Sequence, residues 1–375
     1  MITNLQITNF KSLANISLPL KNLNILTGIN GMGKSTLIQT LLLLRQSYVP
    51  NLIGRGINLK GALTGNLGLF NDVLYRNAKD DKIIFTIDIN EKQYRWQFEK
   101  SPIEDMLQGG FPIINNPKIA LFSDSKFQYI SAGRITPNSS FSKLGEALAY
   151  KQFGINGEYA IQFLFERGTD NALFSDYKDE KSSESLPLIN QVNYWLKYIT
   201  PNVNLDIQQK SNSEYELRYK FLNSENISAS YSANNSAFGL TFSLPIITSL
   251  LAAEKGDLLI FENPENDLHP AAQSMIGQLL AKAASAGVQI IVETHSDHIL
   301  NGICLAINKG IIDNEMAKFF YFNKKNNEIN TSIYDVPIKS NGRIDDSNLR
   351  EANISGFYDQ FNNDLKTILF SSSKK

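Results

Sequence analysis

Cysteine is almost absent from this sequence. The single one, Cys304, excludes an intrachain disulfide and a multi-cysteine zinc site. Its place in the apolar-periodic run HILNGICLAINKG reads as a small buried hydrophobe rather than a nucleophile. Histidine is scarce too: there are 3 in 375 residues. His269, His295 and His298, even with Asp267 and Asp297 nearby, match no zinc template. Net charge is close to nil, formally -1, so composition carries no global signature for nucleic acid, although a local basic patch is compatible with it. No long apolar run is present; LIQTLLLLRQSYV is too short and too polar at its edges to span a bilayer. The opening MITNLQITNFKSL alternates apolar and polar residues, with no basic stretch followed by an apolar one, and reads as a strand rather than a signal peptide. The expectation is a soluble, cytoplasmic protein with no membrane partner.

What is present is ample core-forming material: 42% hydrophobic residues against 19% charged, in a chain longer than a typical domain of ~100–150 residues. One large domain or two interleaved ones are expected. LQITNF, ANISLPL and LNILTG read as strands. IIFTIDI and YRWQF, joined by NEK, read as an antiparallel hairpin with Tyr94, Trp96 and Phe98 on one face. GEYAIQFLFERG and LPLINQVNYWLKYIT have helical spacing, and ALFSDYKDEKSSESLP between them reads as a mobile surface loop. VNLDI and YELRYKF alternate again. From Ser236 the text becomes helix (FGLTFSLPIITSLLAAEKG), strand (LLIF), helix (HPAAQSMIGQLLAKAASAG, with proline in its first turn and glycine at its end), strand (VQIIVET), helix, and strand (AKFFYF). Continuous apolar strands alternating with helices predict an α/β fold, with a mostly parallel sheet covered on both faces.

One motif carries chemistry directly. Gly28 to Ser35, GINGMGKS, fits G-x-x-x-x-G-K-[ST] between a predicted strand and a predicted helix, which is the context a phosphate-binding loop requires. Its glycines let backbone amides close on a phosphate at a helix N-terminus. Lys34 would reach the β- and γ-phosphates, and Ser35 would offer its hydroxyl to Mg2+. A chance match in a chain this long is on the order of one per cent. ATP with Mg2+ is therefore the expected cofactor pair, with Asn30, Gly31, Gly33, Lys34, Ser35 and Thr36 as nucleotide contacts.

The stretch LLIFENPENDLHP supplies the second element. Apolar residues run into Glu262, as a buried strand delivers a carboxylate to a metal. The next residue is Asn263, whose amide has no basic lone pair at neutral pH, so no second acid stands ready to polarise water. Glu265 could swing from its turn towards the γ-phosphate, or be a solvent-exposed turn acid. His295 follows VQIIVET at the C-terminal end of a predicted sheet strand, where ligands of open α/β sheets bind. It is a candidate to sense the γ-phosphate or orient water; His269 and His298 read as structural or surface residues.

In this order, ITNFKSL, GINGMGKST, NNSAFGLTFSLPII, LLIFENPENDLHP and VETHSDHIL resemble the ABC-type ATPases of the OLD (overcoming lysogenization defect), SMC and RecF kind. The nearest form is a compact OLD-like one without a Toprim nuclease domain. NGRIDDSNLREANISGFYDQFNNDL resembles the tail domain of unknown function in that subgroup. The resemblance implies the ABC-ATPase P-loop fold: a mixed sheet covered by helices, with an antiparallel β subdomain and a helical lobe. It implies an ATPase domain over 1–310 (P-loop lobe 1–50 and 232–310, β/helical insert 51–231) and a C-terminal strand and tail over 311–375. Lys11 would lie over the base or ribose. Asn235 to Thr241 would replace the signature loop, with Ser236 and Gly239 as its contact residues across a dimer. His295 would be the switch histidine, and Glu262 the metal-binding acid beside Ser35. The family's glutamine loop has two candidates, Gln128 and Gln46.

The function this implies is a slow ATPase in which ATP clamps a homodimer that controls a separate nuclease effector in bacterial anti-phage defence. A RecF/SMC-like clamp that binds DNA directly, a nucleotide sensor that does not hydrolyse, and a transporter motor are the alternatives. Asp345 and Asp346 form a lone acidic pair in a polar loop, with no nuclease constellation around them.

Overall fold

The computed structural model describes residues 1–48, 55–109, 119–138, 140–145, 151–176, 187–222, 228–324, 328–354 and 357. FSSSKK, the centre of ALFSDYKDEKSSESLP and most of the tail-domain stretch after Ile354 lie outside the described residues.

Six strands make the central sheet, in the order β10 (Phe127–Ile130), β15 (Leu258–Glu262), β16 (Gln289–Glu293), β3 (Leu23–Gly28), β17 (Ala317–Asn323) and β18 (Ser332–Val336). The first five run parallel, and β18 closes the edge antiparallel. Their near-continuous apolar text follows from burial on both faces. Leu258, Ile260, Ile291, Leu26, Phe320 and Phe322 turn to one side, and Leu259, Phe261, Ile290, Val292, Ile25 and Phe319 turn to the other. Each such side chain contributes roughly 1.5–3 kcal/mol when fully buried.

The first side is covered by α1 (Lys34–Tyr48) and a second, antiparallel sheet, in the order β2 (Leu13–Pro19), β1 (Ile2–Phe10), β7 (Ile83–Ile89), β8 (Lys92–Lys100), β9 (Met106–Gly109), β4 (Gly56–Asn58). Helix α1 lies between the two sheets, which is why LLLL in its middle is buried all round. The β7–β8 hairpin turns on two residues, Asn90 and Glu91, both at positive φ, because Lys92 already pairs with Ile89. A two-residue turn of this kind matches the strand twist. Next to this sheet are a ribbon of β5 (Lys60–Gly61) and β6 (Gly65–Asn66) and the short α2 (Phe70–Val73).

The other side carries α5 (Phe238–Ala252), α6 (Pro270–Ser285) and α7 (Asp297–Asn308). Beyond them lie α3 (Ala160–Arg167) and α4 (Leu188–Leu196), packed on a four-stranded antiparallel sheet of β11 (Ser140–Ser142), β12 (Val203–Ser211), β13 (Glu214–Leu222) and β14 (Ser228–Ser232). A last short helix, α8 (Ser347–Glu351), follows β18. The sheets draw on distant parts of the chain. Strands from 56–109 complete the sheet begun by β1 and β2, β10 joins the central sheet, and β17 pairs directly with β3.

Helices α6 and α7, which follow the two acid-bearing strands, cross at a glycine pair. A Cβ on Gly302 would sit 2.0 Å from the Ser274 carbonyl oxygen, and one on Gly277 would sit 2.3 Å from that of Ile299. Both obstacles are backbone, so Gly302→Val must force the helices apart. We expect it to lower stability by about 1–3 kcal/mol or more, read as an earlier urea transition; an unmoved midpoint would show that the crossing is not tightly packed.

Candidate functional site

The C-terminal ends of β3, β16 and β15 point the same way, and the GINGMGKS loop closes over them. Gly33 has φ +99°, and a Cβ there would meet Ser12 Oγ at 2.7 Å and Thr331 Oγ1 at 2.8 Å. The turn therefore needs glycine both for its left-handed backbone and for space. Lys34 is 3% exposed and donates to the carbonyls of Gly28 (2.8 Å) and Ile29 (3.0 Å). Burial lowers its pKa, while Glu293 and Glu265 pull it back up.

Beside the loop opens a cleft of about 490 Å³. Lys11, Asn30, Gly31, Gly33, Lys34, Ser35 and Thr36 line it on one side, and Asn263, Glu293 and His295 face them. The expected P-loop contacts and Lys11 are thus brought together with Asn263 and His295. Lys11, at φ 50°, donates to Gln39 Oε1 at 2.8 Å. The cleft is also reached by Lys324, at the end of β17, whose amine donates to the Gly31 carbonyl at 3.0 Å. Thr331 braces the same loop through Ser12 Oγ and the Met32 carbonyl.

The carboxylates are distributed differently from the sequence expectation. The Ser35 hydroxyl meets Glu293, at 2.9 and 3.1 Å from its two oxygens. Glu262, on the neighbouring strand in register with Glu293, is bound by the Tyr129 hydroxyl and the Ala132 amide (3.4 Å) instead. It is not among the residues that line the cleft. Glu265 is engaged by Thr294 Oγ1 and the His295 amide, both at 2.8 Å, so it braces the histidine loop and also stays out of the lining. Burial raises the pKa of both Glu265 and Glu293; for Glu293 the Ser35 hydroxyl and Lys34 oppose the rise.

Asn263 has φ 45°, a left-handed backbone that asparagine tolerates better than glutamate. Its amide donates to the Glu293 carbonyl (2.8 Å), and its own carbonyl accepts from Arg134 (2.6 Å). Arg134 also holds the Glu262 carbonyl at 2.8 Å. Burial pulls its guanidinium down to about 10. The side-chain Oδ1 of Asn263 is buried and has no hydrogen-bond partner among the described residues.

His295 is held low in pKa by burial and then by Lys34, against a bond to the Gly28 backbone. His269 caps α6, its Nδ1 accepting from the Ala271 amide, and His298 is exposed in the first turn of α7. Ser236 and Gly239 lie away from the cleft. Gly239 is buried: a Cβ there would be 2.7 Å from the Asp267 carbonyl, so it seats α5 against the turn after β15. Ser236 is part-exposed just ahead of Phe238, which is 54% exposed. Gln128 is buried and bonded to the backbone of Tyr129, Phe153 and Gly154, and Gln46 binds the Asn58 carbonyl; neither faces the cleft.

Sequence reasoning missed Glu293, Lys324, Thr331 and Arg134. Glu293 had one signal, an acid inside an otherwise apolar strand that ends at the candidate histidine. The other three had none.

Two family models match the chain: "AAA ATPase domain" over residues 1–106 and "AAA domain, putative AbiEii toxin, Type IV TA system" over 232–301. The OLD nuclease of Thermus scotoductus is 23% identical over 324 residues, which cover 79% of this chain and 59% of the relative, so the chain spans under two thirds of that protein. Among solved structures, an SMC head bound to the C-terminal winged-helix domain of ScpA superposes with TM-score 0.53 at 13% identity, over 90% of this chain and 98% of the other. An SMC head with an extended coiled coil, bound to the C-terminal domain of ScpA derived from Pyrococcus furiosus, gives 0.51 at 12% identity, over 90% and 96%. These two superpositions show an SMC-head fold.

Glu265 yields a pH test. A carboxyl whose folded pKa is raised stabilises the fold below its unfolded pKa and loses that contribution as pH climbs through the folded value. Glu265→Gln removes the titration but keeps an acceptor for the His295 amide. The melting temperature of the variant minus that of wild type should therefore rise as pH increases above about 4.5, the ordinary value. A difference that stays constant with pH would show that Glu265 ionises without penalty.

Proposed function

We propose that the chain is an ABC-type ATPase domain of the OLD/SMC-like group that binds ATP with Mg2+, hydrolyses it slowly, and uses the nucleotide chiefly to hold two copies of itself together. One observation carries this reading: Lys34, Ser35, Glu293 and His295 converge on a single cleft beside the phosphate-binding loop. The Ser35 hydroxyl and the Glu293 carboxylate are hard oxygen donors of the kind Mg2+ takes. Held by Ser35 and Glu293, such a cation would supply charge to offset that of the phosphate oxygens.

The chain's own groups do the rest. Loop amides and the start of α1 hold the phosphates. Lys34 exchanges its Gly28 and Ile29 carbonyls for phosphate oxygens, a stronger charge-assisted contact. His295 positions the attacking water against the γ-phosphate. The water oxygen bonds to the γ-phosphorus as the bond to the bridging oxygen breaks, releasing ADP. Because the Asn263 amide takes no proton, the water proton passes to a γ-phosphate oxygen, and turnover is slow.

The clamp uses the exposed start of α5, where Ser236 and Phe238 meet the partner copy. We assign the nuclease activity in the relative's name to a separate polypeptide governed by this clamp in anti-phage defence. Asn263 keeps one second reading in play, a nucleotide sensor that dimerises without hydrolysis.

The test is ATP turnover together with molar mass by light scattering. Wild type should form ATP-dependent dimers and turn over slowly, and Lys34→Ala should lose both. Dimers formed by wild type with no phosphate release would favour the sensor. A monomer at saturating ATP would sink the clamp.

A further inference from the structure

Three carboxylates crowd the ends of β15 and β16, and they are not equivalent. Glu262 is taken up by Tyr129 and Ala132, and Glu265 by Thr294 and His295. Of the three, Glu293 alone lines the cleft, 8% exposed, with both oxygens on the Ser35 hydroxyl.

Sheet geometry explains the difference. Strand β16 lies between β3 and β15, and neighbouring strands are about 4.8 Å apart. A side chain at the end of β16 therefore starts one strand from the P-loop, whereas one at the end of β15 starts two strands away. Asn263, which lines the cleft, is tied to the Glu293 carbonyl by its backbone N–H. The turn after β15 and the carboxylate-bearing end of β16 are thus held as one unit at the cleft wall.

We infer that Glu293 is the working carboxylate of this site. It meets the nucleotide's divalent cation together with Ser35, in place of Glu262. Glu262 is left as a structural acid that ties Tyr129 and the loop after β10 to the end of β15. The acid function is displaced by one strand. This inference rests on the cleft being an ATP site.

Calorimetric titration of ATP, in Mg2+ and in EDTA, into wild type, Glu293→Gln and Glu262→Gln tests it, with Mn2+–ATP as a paramagnetic probe of the same contacts. Mg2+ should raise the affinity of wild type. Glu293→Gln should forfeit about 10- to 100-fold of that gain and change the Mn2+ signal, while its affinity in EDTA is maintained, which shows the site is folded. Glu262→Gln should keep the Mg2+ gain. The inference is overturned if Glu262→Gln loses the gain and Glu293→Gln keeps it, or if the Mn2+ signal is the same with and without the Glu293 carboxylate. A wild type that binds no ATP in either buffer overturns the ATP reading itself, a result distinct from either of these.

Discussion

The parallel pairing of β3, β16 and β15 is the constraint on which the rest of this molecule depends. Leu26 stands opposite Glu293, and Glu293 opposite Glu262, so the three C-terminal ends finish together on one side. A parallel sheet aligns loop ends in this way because every crossover returns the chain to the same edge. The P-loop, the acid-bearing turn and the histidine loop come from residues far apart in the chain. They share a cleft because their strands share a ladder.

The turn after β15 is the most heavily braced part of the site. Arg134 holds two successive carbonyls, Glu262 and Asn263, from the loop after β10. Asn263 and Asp267 both take positive φ, and Gly239 lets α5 seat against the Asp267 carbonyl. A backbone so over-determined can keep a strained conformation at low cost. It also places the start of α5 in direct contact with the turn that carries the cleft's amide.

The C-terminal strands belong to the site as much as the N-terminal loop does. Strand β17 pairs with β3 along its length. At its end Lys324 meets the Gly31 carbonyl, and before β18 Thr331 packs on Gly33 and Ser12. The phosphate loop is therefore held from behind by residues some 290 or more positions further along the chain.

The local features were legible from sequence because their causes are local. Glycines and a lysine at fixed spacing, an apolar strand before them and a helix start after them determined the phosphate loop. Period-2 and 3.6-residue patterns determined the strands and helices around it, and proline one residue after His269 marked the start of α6. The choice among carboxylates was not legible. Glu262, Glu265 and Glu293 all sit at or just after strand ends in the text, and which one reaches Ser35 depends on strand order. Lys324 and Thr331 were invisible for the same reason, since nothing beside them in the chain announces a partner. Sequence by itself determined the glycine-and-lysine loop and its place between a strand and a helix. Only the tertiary structure decided which acid faces it, because distance across a sheet is counted in strands and the order of strands is written nowhere in the order of residues.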